Sequence, residues 1–78
     1  MIIMSQNRKI VMDCAKLKIE KNLSFGSGNK FAIVGTPVGS ALEGVDVLGE
    51  FADEKLAVAE LERLMNAMSR GDMVNYIR

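Results

Sequence analysis

The sequence predicts a small α+β domain in which an antiparallel meander of about five short strands packs against one C-terminal amphipathic helix. Residues 53–70 carry the long helical pattern of the chain, and residues 1–51 consist of short apolar or alternating segments separated by turn residues. Such strands leave one apolar face uncovered, and the helix can cover it. We therefore expect a single domain over residues 1–78, with an extended tail at 72–78 after the helix.

The first part of the chain predicts three strands. Residues 1–5 form a short apolar run, a polar break follows, and the apolar pattern resumes at 10–12, which indicates two strands joined by a hairpin. Residues 16–20 alternate strictly between polar and apolar side chains, as in a strand with one face in a core. Leu17 and Ile19 are expected to face that core.

Two glycine-containing stretches separate the remaining strands. Residues 21–30 hold two glycines and two asparagines, which favour turn conformations. An apolar strand is predicted at 31–34, followed by a second loop at 35–44 that contains the single proline. Residues 45–51 form the last strand before the helix and lead directly into its first turn.

The helix over 53–70 is supported by its apolar spacing and by both of its ends. Asp53 can accept hydrogen bonds from the free N–H groups of the first turn, and Gly71 after Arg70 can adopt the left-handed conformation that ends a helix. The apolar stripe comprises Ala57, Leu61, Leu64, Met65 and Met68. The helix carries three acidic residues, Glu54, Glu60 and Glu62, of which Glu54 and Glu62 are expected to lie away from the apolar stripe.

Residues 73–77 have β-branched and aromatic character, so we expect the tail to add an edge strand either to its own sheet or to a neighbouring subunit. A domain of 78 residues buries only about 60% of the surface that its unfolded chain exposes. The chain has no histidine and a single cysteine, Cys14, so no zinc site or internal disulfide is available to stabilise it. With 49% hydrophobic residues, these limits predict a homo-oligomer.

Composition also argues against several classes of function. The aromatic content of 5% and the net charge of zero argue against a nucleic-acid binder. No motif joins the carboxylates into an acid–base pair, and Cys14 has no histidine to activate it, so we predict neither catalytic nor metal-ligating residues and no cofactor. No apolar run is long enough for a membrane span and no signal peptide is recognisable, so we expect a cytoplasmic protein.

The cations are concentrated in the first part of the chain, where a small anion could bind. Residues 1–30 carry six Lys or Arg against two carboxylates, whereas residues 31–78 carry four against eight. The stretch 26–30 resembles the end of a phosphate-binding loop, but a predicted strand follows it instead of the required helix, which argues against nucleotide hydrolysis. The candidate ligand-binding residues are Arg8, Lys9, Ser24, Ser27, Asn29 and Lys30. An ordinary connecting loop remains the alternative.

Several motifs occur along the chain, at residues 1–6, 9–11, 47–51, 53–55 with Ala57 and Leu61, and 70–74. They correspond to an N-terminal hairpin of the kind Ile-Ile-x-Ser-Gln, a strand of the kind Leu-Gly-Glu-aromatic and a closing helix. Together they resemble a group of small proteins of phages and prophages of Gram-positive bacteria, which carry no settled activity.

The resemblance implies a non-enzymatic protein that acts in the host cytoplasm by blocking or sequestering a host factor. Two alternatives stay open. One is a sequestering protein that binds a small anionic, nucleotide-like ligand at an oligomer interface, and the other is a purely structural accessory protein.

Overall fold

The computed structural model describes residues 1–21, 28–40 and 46–78, which form one five-stranded sheet and one helix. Predictions that concern residues 22–27 and 41–45 lie outside the described residues. The elements in chain order are β1 (Ile2–Met4), β2 (Val11–Lys21), β3 (Phe31–Pro37), β4 (Asp46–Phe51), α1 (Glu54–Ser69) and β5 (Val74–Tyr76).

The α+β class is confirmed, but the sheet is mixed and the helix is not the last element. The strand order is β4-β3-β2-β1-β5. The first four strands pair as an antiparallel meander, whereas β5 pairs with β1 in parallel, with Ile2 opposite Val74 and Met4 opposite Tyr76. The prediction of a purely antiparallel sheet was wrong because α1 carries the chain from the β4 edge to the opposite edge, where β5 joins β1 in the same direction. The tail thus completes the chain's own sheet.

Strand β2 is one continuous strand, although the sequence pattern predicted two. Its first residues pair with β1 and the rest pair with β3, with a register shift between Cys14 and Lys16. The extra residue of such a bulge bends a strand and changes which side chains face the core. The bulge therefore explains why the alternation seemed to break at Asp13 and Cys14.

The two ends of α1 follow the predicted chemistry. Oδ1 of Asp53 accepts a hydrogen bond from the Leu56 amide at 3.0 Å. At the other end, the Asp72 amide donates to the Ala67 carbonyl at 3.1 Å, and Gly71 has a φ of 92°. This pattern is a Schellman motif, which needs a left-handed residue where glycine is found.

The buried face of α1 is rotated from the predicted stripe by part of a turn. Ala57 and Leu64 are buried as expected, but Met65 is 60% exposed. Glu60, which is not part of the predicted stripe, is only 7% exposed, and Ala67 is also buried. The sequence pattern was misleading because Glu60 is hydrogen-bonded and paired, which allows a carboxylate to occupy a buried position.

The core lies between α1 and the inner face of the sheet. Its buried members are Ile3, Met12, Cys14, Ile33, Leu48, Leu64 and Ile77. Gly35 is required by close packing here, since a Cβ atom at this position would lie 2.6 Å from Cδ1 of Leu48.

A side chain closes the β4 edge of the sheet. The backbone amide of Gln6 donates to the Leu48 carbonyl at 2.7 Å, and the Gln6 side chain exchanges hydrogen bonds with the backbone of Glu50 at 3.0 and 3.3 Å. Nε2 of Gln6 also donates to the carbonyl of Arg78 at 2.9 Å. Gln6 therefore takes the place of a neighbouring strand and joins both ends of the described chain to β4.

Candidate functional site

Two arginines flank an exposed tyrosine at the β5 end of the sheet. The guanidinium carbon of Arg8 lies 5.7 Å from the centre of the Tyr76 ring, and that of Arg63 lies 5.6 Å from it. Both distances are typical of cation–π contacts. We call these three residues the arginine–tyrosine stack. It joins the β1–β2 turn, helix α1 and strand β5, which are distant in sequence.

The turn that carries Arg8 is fixed by a network of short-range hydrogen bonds. The Ser5 hydroxyl donates to Oδ1 of Asn7 at 2.7 Å and accepts from the Ile10 amide at 3.1 Å. The Lys9 amide donates to the same Asn7 oxygen at 3.0 Å. Within this turn Arg8 has a φ of 64°, a left-handed conformation that costs an L residue about 1 kcal/mol or more. A position suited to glycine is thus occupied by arginine.

Glu60 holds Arg63 in its place beside the ring. Nε of Arg63 donates to Oε1 of Glu60 at 2.8 Å, and Nη2 donates to Oε2 at 2.7 Å. Oε2 of Glu60 also accepts from the Arg78 amide at 2.6 Å. Burial alone would raise the pKa of Glu60, but the hydrogen bonds from Arg63 and Arg78 and their positive charges together lower it. The hydrogen bond to Glu60 in turn raises the pKa of Arg63.

Arg63 also contacts the outer edge of β5. The carbonyl of Met73 and the amide of Ile77 face β1, at 3.0 Å each, so the backbone groups of Val74 and Tyr76 point away from it. The Tyr76 carbonyl accepts from Nη2 of Arg63 at 2.6 Å. A helix side chain therefore satisfies one outward carbonyl at this edge.

The sheet surface beside the stack is apolar and exposed. The side chains opposite the core on β2, β1 and β5 are Val11, Asp13, Ile2, Met4, Val74 and Tyr76, which we call the outer face. Val11 is 61% exposed and Val74 is 70% exposed. Tyrosine, arginine and exposed aliphatic side chains next to each other are typical of protein-binding surfaces.

The described residues predicted to bind an anion lie in two stretches of the chain. Arg8 and Lys9 lie in the β1–β2 turn, whereas Asn29 and Lys30 precede β3, where the Lys30 amide donates to the Phe51 carbonyl at 3.1 Å. No hydrogen bond or ion pair between described residues joins the two groups. Ser24 and Ser27 lie outside the described residues. The predicted site stays a prediction, and Arg8 is the member that belongs to the stack.

Sequence reasoning missed Tyr76, Arg63 and Glu60 as site residues. Arg63 follows Glu60 by three positions, the spacing of a helical ion pair, and this local signal was present in the sequence. No local signal connects Tyr76 to Arg8, because their contact depends on β5 pairing with β1. The site is therefore a product of the sheet topology.

Arg8 is exposed, and its guanidinium donates no hydrogen bond to any residue in the described part of the chain. Among residues 1–21, 28–40 and 46–78, no three acidic, histidine or cysteine side chains are grouped as metal ligands. Burial raises the pKa of the Cys14 thiol, which keeps it protonated. None of the described helices has the length and apolarity to cross a membrane.

Comparisons with protein-family models, curated proteins and solved structures gave no match.

Proposed function

We propose that the chain is a non-enzymatic, oligomeric binding protein that blocks or sequesters a host factor, as its resemblance to phage and prophage proteins implies. The observation that supports this function is the arginine–tyrosine stack. Within residues 1–21, 28–40 and 46–78 the Arg8 guanidinium donates no hydrogen bond, so its donors can serve a partner, and Tyr76 offers a ring beside Arg63, which Glu60 holds in position. A pre-positioned contact group loses less side-chain entropy on binding than a mobile one.

The backbone of Arg8 adds a second argument. An L residue in a left-handed conformation reduces stability, and such conformations are found where function requires a particular side chain. Glycine would fit this turn better, yet only a long cationic side chain reaches the Tyr76 ring. We infer that Arg8 is present for what it contacts.

Retention of a host macromolecule tests the proposal. The immobilised protein is exposed to an extract of a Gram-positive host, in parallel with the variants Arg8→Asn and Tyr76→Ala. Asparagine tolerates the left-handed backbone, so the first variant removes the guanidinium and keeps the turn. Leu56→Ala is the matched control, because Leu56 is exposed on α1 outside the stack.

We expect the parent chain and the Leu56→Ala control to retain the same macromolecule at a fixed ratio. Both stack variants should fail to retain it. Circular dichroism confirms that each variant is folded. Equal retention by all four proteins, or no retained macromolecule, would contradict the proposal.

A small anionic, nucleotide-like ligand is the second candidate for the sequestered factor. The observation that favours it is the same free guanidinium above an aromatic ring, since arginine binds phosphate in a bidentate manner and aromatic rings stack on bases. Native mass spectrometry of protein recovered from host extract reports any retained small molecule together with the number of subunits.

Charge reversal distinguishes the two predicted anion contacts. If the ligand binds at the stack, Arg8→Glu abolishes retention, whereas Lys30→Glu leaves it unchanged. Loss of retention with Lys30→Glu alone would place the ligand at the loop predicted from the sequence. A ligand that is turned over, and not retained one per site, would contradict both forms of the proposal.

A further inference from the structure

The β5 edge of the sheet carries unpaired backbone groups, in contrast to the β4 edge. At the β4 edge, the backbone and side chain of Gln6 bond to the outward groups. At the β5 edge, the pairing with β1 directs the N–H and C=O groups of Val74 and Tyr76 outwards. Arg63 bonds to the Tyr76 carbonyl. The Val74 N–H, the Val74 C=O and the Tyr76 N–H make no hydrogen bond with any residue that the structure describes.

These three backbone groups are accessible to a partner. Val74 is 70% exposed and Tyr76 is 47% exposed. Proteins commonly protect a sheet edge with lysine, proline or a β-bulge, and the residues of β5 include none of these. The strand is short, so backbone pairing alone supplies only a few hydrogen bonds. A partner with useful affinity must therefore also contact side chains beside this edge.

We propose that an extended acidic segment of another polypeptide adds to the β5 edge as a further strand. The inference rests on the proposed function and deepens it, because it makes the sequestered factor a protein that is bound through its main chain. The free groups on β5 follow one another as donor, acceptor and donor over about 7 Å. An extended backbone presents the complementary groups at the same spacing, which is the basis of recognition by strand addition.

The charges beside this edge favour an acidic segment. Nε and Nη2 of Arg63 bind Glu60 and the Tyr76 carbonyl, whereas Nη1 donates no hydrogen bond within residues 1–21, 28–40 and 46–78. Arg8 also has free donors, and two guanidinium groups against the one carboxylate of Glu60 leave a net positive charge. A residue paired with Tyr76 has its Cβ atom about 5 Å from that of Tyr76. A carboxylate at that position meets the arginines of the stack.

The added strand leaves the stack usable. It lies in the plane of the sheet beside β5, so it approaches Tyr76 from the edge and does not cover the outer face. Arg63 occupies the Tyr76 carbonyl and therefore marks the end of the pairing. The segment thus pairs with Val74 and Tyr76, and its side chains on the outer face lie next to the ring.

A second copy of this chain fits the edge less well than an acidic segment does. Residues 70–78, which contain β5, hold two arginines and one aspartate and thus have a net positive charge. Their one carboxylate, that of Asp72, lies 3.8 Å from Nη2 of Arg70. Pairing of two β5 edges would bring like charges together at the two stacks. Charge complementarity therefore assigns the edge to another polypeptide.

Two synthetic peptides with the same alternating pattern test the inference. One alternates valine with glutamate and the other alternates valine with lysine, and both are blocked at their ends. Amide NMR spectra of the parent chain are recorded during titration with each peptide. The acidic peptide is expected to bind about tenfold more tightly than the basic one. At saturation it should slow hydrogen exchange of the Val74 and Tyr76 amides by about tenfold, since both N–H groups then donate to the peptide.

A matched pair of variants separates the backbone of Val74 from its side chain. Val74→Pro removes the outward N–H and preserves the ladder with β1, because the Val74 N–H has no part in that ladder. Val74→Ala shortens the side chain and keeps the N–H. The first variant should weaken binding of the acidic peptide by about tenfold, and the second should stay within about threefold of the parent. Circular dichroism checks the fold, and amide exchange in Val74→Ala provides a second readout if Val74→Pro does not fold.

Several outcomes would overturn the inference. They are equal binding of the two peptides, equal effects of the two Val74 variants, and slowed exchange confined to amides outside β5. Slow exchange of the Val74 and Tyr76 amides without peptide, increasing with protein concentration, would assign the edge to a second copy.

The same variants distinguish this inference from the proposed function. If the acidic peptide binds at β5 but host extract yields no retained macromolecule, the inference stands and the proposed function fails. If a macromolecule is lost with Arg8→Asn but retained by folded Val74→Pro, the proposed function stands and strand addition is overturned.

Discussion

Replacement of Glu60 by alanine is the sharpest test of how the site is built. The substitution removes the acceptor of two hydrogen bonds from Arg63 and of one from the Arg78 amide. Breaking a buried ion pair costs about 3–5 kcal/mol, whereas exposed pairs contribute about 0.2–1 kcal/mol. The Arg63 side chain is 23% exposed and can turn partly to water, so we expect a loss between these limits, about 2 kcal/mol.

Thermal and urea unfolding measure this loss. For a domain of this size, about 2 kcal/mol corresponds to a decrease in Tm of roughly 8–16 °C. Glu62→Ala is the control, since Glu62 is exposed two positions further along the same helix and its replacement should change the unfolding free energy by less than about 0.5 kcal/mol. Equal effects of the two substitutions would refute the buried ion pair and the placement of Arg63 that depends on it.

Three further predictions concern the pKa of Glu60, the backbone of Arg8 and the packing around Gly35. Because the pKa of Glu60 is lowered in the folded state, its contribution to stability is present above its ordinary value of 4.5 and is lost as the pH falls through the folded pKa, as acid unfolding curves should show. Arg8→Gly should be more stable to urea than Arg8→Ala by about 1 kcal/mol, because only glycine relieves the left-handed backbone. Gly35→Ala should lower the unfolding free energy by about 1–3 kcal/mol, because the new methyl group meets Leu48.

Each of these predictions has its own control. Glu60→Gln cannot titrate at this position, so its unfolding free energy should fall less steeply with decreasing pH than that of the parent. Parallel curves would contradict the lowered pKa of Glu60. Equal stability of the glycine and alanine variants at position 8 would mean that the turn relaxes. For Gly35, the control is the double variant Gly35→Ala/Leu48→Ala. If crowding against Leu48 is the cause, this variant should lose less unfolding free energy than the sum of the two single variants.

The sequence was most informative where structure depends on neighbouring residues. The Asp53 cap, the left-handed Gly71 and the alternation around Leu17 are short-range signals, and each led to the observed element. The parallel pairing of β5 could not be predicted in this way, since a three-residue strand carries no information about which edge it joins. The path of α1 across the sheet determines that β5 pairs with β1.

The difference between short-range signals and long-range contacts also explains which residues of the candidate site could be predicted. Arg8 was identified as a binding residue from the local density of cations, and the structure gives it an aromatic neighbour far away in sequence. Glu60 was left out of the predicted apolar stripe because a charged residue in an amphipathic helix usually lies on the exposed side. Its burial depends on Arg63 and on the amide of Arg78, and only the second of these partners is beyond the reach of helix spacing.

The pairing of β1 with β5 also affects how the chain is made. Met4 lies opposite Tyr76, 72 residues later, so the sheet cannot be completed during translation until residue 76 has left the ribosome. Until then the apolar segment 1–4 lacks one of its neighbours, which exposes the nascent chain to aggregation and to proteases. Completion of the sheet therefore requires residues 74–76 to be available before residues 2–4 have both of their neighbouring strands.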